Sequence, residues 1–300
     1  MKLSIGPLLF EWGKKAIRDF YHRMAFETAA DVLYIGEVVC SKRNSLSPDD
    51  MLELAHDLRS SGKQVVFSTL GLVMDHEEVE TTHRIVQLAR QEGIPVEAND
   101  MAAIAVGEGG KLVAGPHITT YNPETVDFLA GLGVERVVFP VELSADAMAT
   151  ILKRIKHRHV EGEVFAFGRL PLTFSARCYT ARAFHLHKMN CQFKCDAFPD
   201  GMEVATQDGE SYLTINGLQT MSHRLYNLIG HVDRLQSMGI ALVRLSPQSE
   251  NMEKIVAVWK NRLDNQLSGE EAMARLVELN KGQPFVDGYF LGKSGKDVAS

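Results

Sequence analysis

The chain has 300 residues, of which 45% are hydrophobic, and carries a formal net charge of −6. This is enough to bury one large core, and α/β barrels reach this length as a single domain. Lysine and arginine are scattered and form no basic block, so no nucleic-acid partner is expected. No apolar stretch approaches the roughly 20 residues that cross a bilayer, and the N-terminal apolar residues do not form a secretory signal. We therefore expect a cytoplasmic protein with no membrane span.

Short β-rich runs alternate with helical patterns along most of the chain. Several runs are continuous Val, Ile, Leu and Phe segments, which is typical of parallel strands covered on both faces. The eight predicted strands are Leu3–Ile5, Val32–Ile35, Gln64–Ser68, Pro95–Ala98, Lys111–Ala114, Arg136–Phe139, Glu163–Phe167 and Ile240–Leu245. Eight alternations favour an α/β fold of the TIM type, a (β/α)8-like barrel with regular or distorted closure. A doubly wound open sheet is the alternative, because periodicity does not show whether a sheet closes.

One interval breaks this rhythm. More than fifty residues separate the seventh predicted strand from a helix expected near Arg224–Met238, far more than an ordinary loop between a strand and a helix. This interval holds three cysteines and the apolar run Tyr212–Ile215, which indicates an ordered segment. We predict one barrel domain over residues 1–300, with a cysteine-bearing insertion over 171–223 after strand 7 on the catalytic face.

The four cysteines of the chain are Cys40, Cys178, Cys191 and Cys195. Cys40 follows the second predicted strand, and the other three lie in the insertion. The ends of strands two and seven open on the same face of a barrel, so the four thiols are expected to converge. Four thiolates suit an iron–sulfur cluster, whereas four-cysteine zinc sites usually combine two short C-x2-4-C pairs. The spacing leaves three interpretations open: ligands of an iron–sulfur cluster, ligands of a structural zinc ion, and inert buried thiols.

Charged residues flank these cysteines. Glu37, Ser41 and Arg43 lie beside Cys40, where they suit either an anionic substrate, hydrogen bonds around a metal centre, or an ordinary salt bridge. Three arginines surround Cys178 and would bind a dicarboxylate or neutralise an anionic cluster. They are Arg169, Arg177 and Arg182.

Polar residues follow the fourth and fifth predicted strands. Asn99, Asp100 and His117 would lie on the catalytic face of a barrel, where Asp100 or His117 could handle protons. A capping or other structural role is the competing interpretation. The sequence holds no H-E-x-x-H, G-x-S-x-G or Walker motif, so it identifies no catalytic residue.

The segment Gly168–Arg182, GRLPLTFSARCYTAR, followed by Cys191 and Cys195, resembles the collagenase-like U-type peptidase family. The resemblance extends from Ser4–Pro7 to Asp287–Gly292. In the family members that it most resembles, four cysteines at matching positions hold a 4Fe–4S cluster. The resemblance therefore implies that cofactor for this chain, with metal and cofactor ligands at Cys40, Cys178, Cys191 and Cys195.

The resemblance also implies a function. It suggests a heterodimer with the protein UbiU and a part in an oxygen-independent hydroxylase complex for the ring in ubiquinone biosynthesis. The small-molecule ligands would be a quinone precursor and prephenate, the oxygen donor. The competing functions are a collagenase-like peptidase and a zinc-stabilised scaffold subunit. Hydroxylation of RNA is disfavoured by the acidic charge balance.

Overall fold

Eight parallel strands form a closed barrel in this protein. The structure, a computed structural model, describes residues 1–43, 45–107 and 109–297. The barrel strands are β1 (Lys2–Ile5), β2 (Val32–Ile35), β3 (Gln64–Ser68), β4 (Val96–Ala98), β5 (Leu112–Ala114), β6 (Val134–Val138), β7 (Glu161–Phe174) and, after three further strands, β11 (Leu242–Leu245). The first seven pair in chain order, and β11 pairs with both β1 and β7. The predicted (β/α)8 barrel is confirmed, and the open sheet is wrong because both of its edges are joined by β11.

Successive residues of each barrel strand face opposite sides, which separates the core into two layers. Leu33 and Ile35 of β2 pack outward in the large cluster beneath the helices. Val32 and Tyr34 belong instead to a small cluster that includes Val66 and Val138 and fills the barrel interior. The interior also contains charged side chains, which are described below with the candidate site.

The helices begin where the sequence places capping residues. Ser47 and Asp50 form a capping box, and Asn122 and Ser144 each accept a hydrogen bond from a backbone N–H of the first turn. The helices are α1 (Gly13–Phe26), α2 (Pro48–Arg59), α3 (His76–Gln91), α4 (Met101–Val106), α5 (Pro123–Gly131), α6 (Ala145–Ile155), α7 (Tyr179–Ala183), α8 (Val232–Met238), α9 (Met252–Leu263) and α10 (Gly269–Leu279). None of the described helices has both the length and the apolarity needed to cross a bilayer.

Strand β7 is longer than the sequence indicated and continues beyond the barrel. Its outer part pairs antiparallel with β10 (Gln219–Asn227), which pairs with β9 (Ser211–Asn216) and through it with β8 (Met202–Ala205). Residues 171–174, predicted to begin the insertion, therefore lie within a strand. The helix expected from about Arg224 begins only at Val232, because the preceding residues extend the sheet.

Candidate metal centre

All four cysteines line one small cavity at the end of the barrel. The space between them measures about 20 Å3, so the thiol-bearing segments lie close together. Cys40 and Cys178 are buried, with exposed fractions of 9% and 8%, whereas Cys191 and Cys195 are half-buried. The fold thus brings together side chains from distant parts of the sequence, since Cys40 and Cys195 lie 155 positions apart.

The loop after β2 holds Cys40. Gly36 has a φ of +141°, and a Cβ at this position would lie 2.2 Å from the carbonyl oxygen of Ser68, so only glycine allows the chain to leave the barrel here. The Glu37 carboxylate accepts hydrogen bonds from the backbone N–H groups of Val39, at 2.7 Å, and Cys40, at 2.9 Å. Glu37 therefore shapes the loop that presents the thiol. Burial raises the pKa of Glu37 to about 7, although Arg43 opposes that rise.

Cys178 is the capping residue of the short helix α7. Its sulfur accepts a hydrogen bond from the backbone N–H of Ala181 at 3.4 Å. Helix α7 is fixed to the turn between β9 and β10, because the N–H of Gly217 donates to the Thr180 hydroxyl at 3.0 Å and the N–H of Tyr179 donates to the Gly217 carbonyl. This outer hairpin therefore positions the second thiol against the first.

Two short 3-10 turns, Lys188–Asn190 and Lys194–Ala197, hold the remaining thiols. Cys191 ends the first turn and Cys195 lies in the second. Between them Gln192 and Phe193 both have positive φ angles, 51° and 50°, a conformation that non-glycine residues rarely adopt. Backbone of this kind persists where the surrounding structure fixes it. Here it turns the chain back, so that both cysteines face the same cavity.

Arg43 connects the walls of the cavity. Its guanidinium, with a side chain that is 1% exposed, donates to the Leu9 carbonyl at 2.7 Å and to Asn216 Oδ1 at 2.6 Å. The Arg43 cation also acts on the Cys195 thiol, where it opposes the rise in pKa that burial causes. One buried arginine thus joins the loop after β1, the loop after β2 and strand β9.

The lining of the cavity is basic, and carboxylates outside the lining lie near two of its bases, Glu37 at 3.9 Å from Arg43 and Glu78 at 3.9 Å from Lys188. Among its described lining residues are four basic side chains and no carboxylate. The basic residues are Lys42, Arg43, Lys188 and Lys194. Arg43 was recognised in the sequence as a candidate, whereas the three lysines were not, because nothing in their local pattern distinguishes them from surface lysines. This charge suits a bound group that is anionic, as a cluster with four thiolate ligands usually is.

Two of the four thiols, those of Cys40 and Cys195, favour their protonated form. Burial raises the pKa of Cys40 to about 11 and also raises the pKa of Cys195, against the opposing effect of Arg43. Metal ligation by cysteine requires the thiolate, so binding a metal here would release protons. A protonated thiol is also a poor nucleophile, so Cys40 does not resemble the activated cysteine of a thiol peptidase.

No single-ion site is preformed among the residues that the structure describes. No group of three or more His, Cys, Asp or Glu side chains is placed to hold one metal ion.

Asn99 and His117 line a different cavity, at the mouth of the barrel, together with Glu97, Arg244 and Ser246. Asn99 donates to the Thr69 carbonyl and to Glu97 Oε2, both at 3.2 Å. Burial lowers the pKa of His117 to about 3, and the nearby Arg244 cation adds to that effect. Neither residue lines the cysteine cavity.

The other sequence candidates are dispersed. Asp100 caps α4 by accepting from the backbone N–H of Ala102 at 2.8 Å, which is the structural role weighed against a catalytic one. Arg177 and Arg182 are exposed and do not line the cysteine cavity, and Arg169 lines a third cavity.

A buried charge network inside the barrel was missed in the sequence. Arg244 of β11 pairs with Glu97 of β4 at 2.5 Å and with Glu163 of β7 at 2.8 Å. Its guanidinium also lies 4.0 Å from the ring centroid of Tyr34, whose hydroxyl donates to Glu163. Burial opposes the ionisation of Glu163, but Arg244 and Arg136 outweigh it and lower the pKa of that carboxyl. The sequence did contain a signal for this network, because Arg244 is a charged residue within the otherwise apolar strand β11.

The closed barrel and the shared cysteine cavity define a (β/α)8-barrel protein with a four-thiol centre. The model of the family described as peptidase family U32 matches residues 21–300. The chain therefore belongs to peptidase family U32.

One solved structure shares the fold of this chain with a TM-score above 0.5. A putative dihydrodipicolinate synthetase from Pseudomonas aeruginosa is 10% identical with a TM-score of 0.51, and the match covers 93% of this chain and 83% of that one. A solved U32 peptidase is 11% identical with a TM-score of 0.47, covering 83% and 94%. The tryptophan synthase α subunit from Legionella pneumophila is 12% identical with a TM-score of 0.44, covering 94% and 92%. Likeness at such identities concerns the fold alone.

Proposed function

We propose that Cys40, Cys178, Cys191 and Cys195 hold a 4Fe–4S cluster, and that the chain is the iron–sulfur subunit of an oxygen-independent hydroxylation in ubiquinone biosynthesis. This would make it a protein of the UbiV type within the U32 family, acting in the cytoplasm. One observation carries the proposal: every cysteine of the chain lines the same cavity, whose lining is basic. The ring-hydroxylating role rests on the sequence resemblance, which also implies UbiU as the partner.

The surroundings of the thiols support a cluster over a zinc ion. Four basic side chains line the cavity, and they favour a centre that retains negative charge after it has bound four thiolates. The buried Arg43 cation lowers the pKa of the Cys40 and Cys195 thiols, against the effect of burial, and so favours the thiolate forms that ligate metals.

Each part of the chain has a defined role in this proposal. Cys40 and Cys178 form the rigid side of the centre, since both are buried and their backbones are fixed by Glu37 and by the hairpin turn. Cys191 and Cys195 form the adaptable side, because they lie half-buried on 3-10 turns. A four-iron cluster is larger than the present space of about 20 Å3, so we expect this side to yield when the centre is loaded.

Bound in this way, a 4Fe–4S cluster would supply one-electron transfer, and four cysteine ligands would leave no open iron position. The protein would contribute a shielded, positively charged surrounding that stabilises the more reduced, more negative state. The oxygen donor implied by the resemblance is prephenate, and the acceptor is a quinone precursor. The peptidase label of the family gains no support from the sequence, which has neither H-E-x-x-H nor G-x-S-x-G.

The proposal is tested by purifying the full chain with its partner under anaerobic conditions and measuring iron, sulfide and zinc. We expect about four irons and four sulfides per chain, with the thiolate-to-iron absorption band near about 400 nm. One zinc per chain without sulfide would overturn the cluster assignment. A deletion strain should lose ubiquinone only when it grows without oxygen.

Single substitutions distinguish the cysteines that bind the cluster from nearby residues that do not. Cys178→Ala should remove most of the iron and the absorption band while the circular dichroism of the barrel remains. Ser175→Ala, three positions earlier and outside the cavity lining, is the matched control and should keep full iron content. Unchanged iron in Cys178→Ala would show that this thiol is not a ligand.

A further inference from the structure

The segment around Cys191 exposes several large apolar side chains. Tyr179, Phe184, Met189 and Phe193 are all exposed, and Met189 reaches 81%. They lie within fifteen consecutive positions, and no other stretch of that length in the described part of the chain exposes as many large apolar residues. Single apolar residues on a surface are ordinary, whereas a group of them indicates a surface that contacts another molecule.

These side chains belong to the outer wall of the cysteine cavity. Phe193 lines the cavity directly. The Lys194 ammonium, which also lines it, lies 5.7 Å from the centroid of the exposed Phe184 ring. We call residues 176–198 the cysteine face. The two half-buried thiols lie within it, so this face is the side on which the candidate metal centre approaches solvent.

The cysteine face is basic, although the chain as a whole is acidic. Residues 176–198 contain four lysines and arginines and one aspartate, whereas the net charge of the chain is −6. Arg177 and Arg182 are exposed, and neither forms an ion pair within the described residues. Arg158, on the opposite side of the sequence pattern, pairs with Asp127 as exposed arginines commonly do. Acidic groups of a partner would complement the two unpaired arginines.

This combination favours a protein over a bilayer or a nucleic acid. Peripheral binding to lipid commonly uses an amphipathic helix that lies in the interface, and the helix of this face, α7, has only five residues. Nucleic-acid binding depends on neutralising many phosphates, which a chain of net charge −6 with four bases here does poorly. Exposed aromatic and methionine side chains next to arginines are typical of protein interfaces.

The place of this face indicates what its partner carries. Cys40 and Cys178 are buried, whereas Cys191 and Cys195 are partly exposed through the cysteine face. An electron that enters or leaves a centre held by these thiols has its shortest protein path here. Electron-transfer partners form small interfaces, below about 1,200 Å2, and rely on complementary charge for rapid association. A few exposed apolar side chains with two arginines are enough for such a contact.

We propose that the cysteine face docks a small acidic protein that carries one electron. Met189 and Phe193 contact its apolar part, and Arg177 and Arg182 pair with its carboxylates. The electron step rests on the proposed iron–sulfur centre, whereas the docking rests on the exposed residues alone. In that step the carrier is oxidised by one electron and the centre is reduced by one, while no covalent bond forms or breaks.

Flavodoxin, a small acidic one-electron carrier, is the probe. Binding of its oxidised form to the full chain is followed by calorimetry at low and high salt. We expect saturable binding that weakens at least about tenfold between about 0.05 M and 0.5 M ionic strength, because exposed charges are screened. Binding that does not respond to salt, or no binding, would overturn the proposal.

Charge substitutions locate the docking surface. Arg177→Gln combined with Arg182→Gln should weaken flavodoxin binding at least about tenfold and leave the iron content unchanged, because neither residue lines the cysteine cavity. Lys254→Gln combined with Arg275→Gln removes the same charge from exposed positions of α9 and α10 and should leave binding unchanged. Equal weakening in the two double variants would show unspecific attraction and refute the site.

The apolar contribution is tested in the same way. Met189→Ser should weaken flavodoxin binding several-fold, whereas Met101→Ser, which truncates an exposed methionine on α4, should not. Reduced flavodoxin should bleach the thiolate-to-iron band of the loaded chain, and this reaction should slow in Met189→Ser. Equal binding by both methionine variants would contradict the apolar contact.

Iron and sulfide analysis of the same samples keeps this proposal separate from the proposed function. Full iron content without flavodoxin binding would refute the docking site and leave the cluster assignment intact. Flavodoxin binding to a chain that holds no iron would refute the cluster assignment instead. Tighter binding of single-stranded RNA or of anionic phospholipid vesicles, with the same dependence on Arg177 and Arg182, would overturn the choice of partner. Hydrogen-exchange protection of residues 176–198 by UbiU alone would do so as well.

Discussion

Arg43 and Asn216 form a buried hydrogen bond of 2.6 Å that joins the loop after β2 to strand β9. Asn216 also donates to the Leu9 carbonyl at 2.7 Å, the same carbonyl that accepts from Arg43. The barrel half that contains Cys40 and the outer sheet that supports Cys178 are therefore connected by one polar contact. The integrity of the candidate metal centre should depend on it.

Asn216→Leu tests this dependence. The change leaves one nitrogen of Arg43 buried without a partner, which should lower the free energy of unfolding by about 1–3 kcal/mol. Urea denaturation measures the loss, and iron analysis of anaerobically purified protein should show reduced cluster content. Asn190→Ala changes an exposed asparagine at the end of the first 3-10 turn, away from Arg43, and is the control that should change neither quantity. Full stability in Asn216→Leu would contradict the connecting role of this contact.

Lys42 fixes the first 3-10 turn of the cysteine segment. Its ammonium donates to the carbonyl oxygens of Lys188, at 3.2 Å, and Met189, at 2.8 Å. Lys42→Ala should release this turn, and thermolysin should then cleave near the exposed Met189 several times faster. Lys63 makes the same kind of double contact, to the carbonyls of Thr28 and Ala30, outside this segment. Lys63→Ala should leave cleavage near Met189 unchanged, and equal acceleration in both variants would indicate general destabilisation instead.

The Arg244 network should be essential for folding. Arg244→Met leaves Glu97 buried without its cation and leaves Glu163 with only Arg136, 3.8 Å away, and removing one partner of a buried pair typically costs about 3–5 kcal/mol. Urea unfolding should show a loss of that size, partly recovered when both glutamates are also changed to glutamine. Arg234→Met breaks an exposed pair with Asp146 and a cation–π contact with Phe290 at 5.3 Å, and should cost no more than about 2 kcal/mol. Similar losses in the two arginine variants would argue against the interior network.

His117 should make the protein less stable in mild acid. Its pKa is lowered to about 3 in the folded chain, mainly by burial, against a usual value of 6.5. Between these values the unfolded chain binds the proton and the folded one does not, so stability falls as the pH decreases below about 6.5. The contribution of this one side chain is roughly 1.4 kcal/mol for each pH unit.

The measurement compares urea unfolding of the protein and of His117→Asn from pH 7 to pH 4.5. Relative to His117→Asn, the unaltered protein should lose roughly 1.4 kcal/mol of unfolding free energy for each pH unit below about 6.5. The contributions of all other titrating groups cancel in this comparison. In the unaltered protein the NMR signals of the His117 ring should not titrate between pH 5 and pH 8. A midpoint near 6.5 would show that this imidazole is solvated.

The eight barrel strands and the caps at Ser47, Asn122 and Ser144 follow from the sequence alone. Strand runs and N-cap residues reflect preferences that act over a few neighbours, and these survive in the folded chain. The grouping of three cysteines in one over-long interval is also visible in the sequence. The resemblance of the segment Gly168–Arg182 to the U-type peptidases indicated the family, and the match of the family model to residues 21–300 confirms it.

Closure of the barrel, the assembly of the thiols and the charges around them were decided by tertiary structure. The pairing of β11 with β7 and the contact of Arg43 with Asn216 join residues that are distant in the sequence, and no local preference encodes such contacts. The same holds for Lys188 and Lys194, which face the cavity only because Gln192 and Phe193 turn the chain back. The sequence by itself determined the four cysteines and placed three of them in one long interval. Long-range packing determined that all four share one cavity lined by basic side chains, and that Arg169 lines a different one.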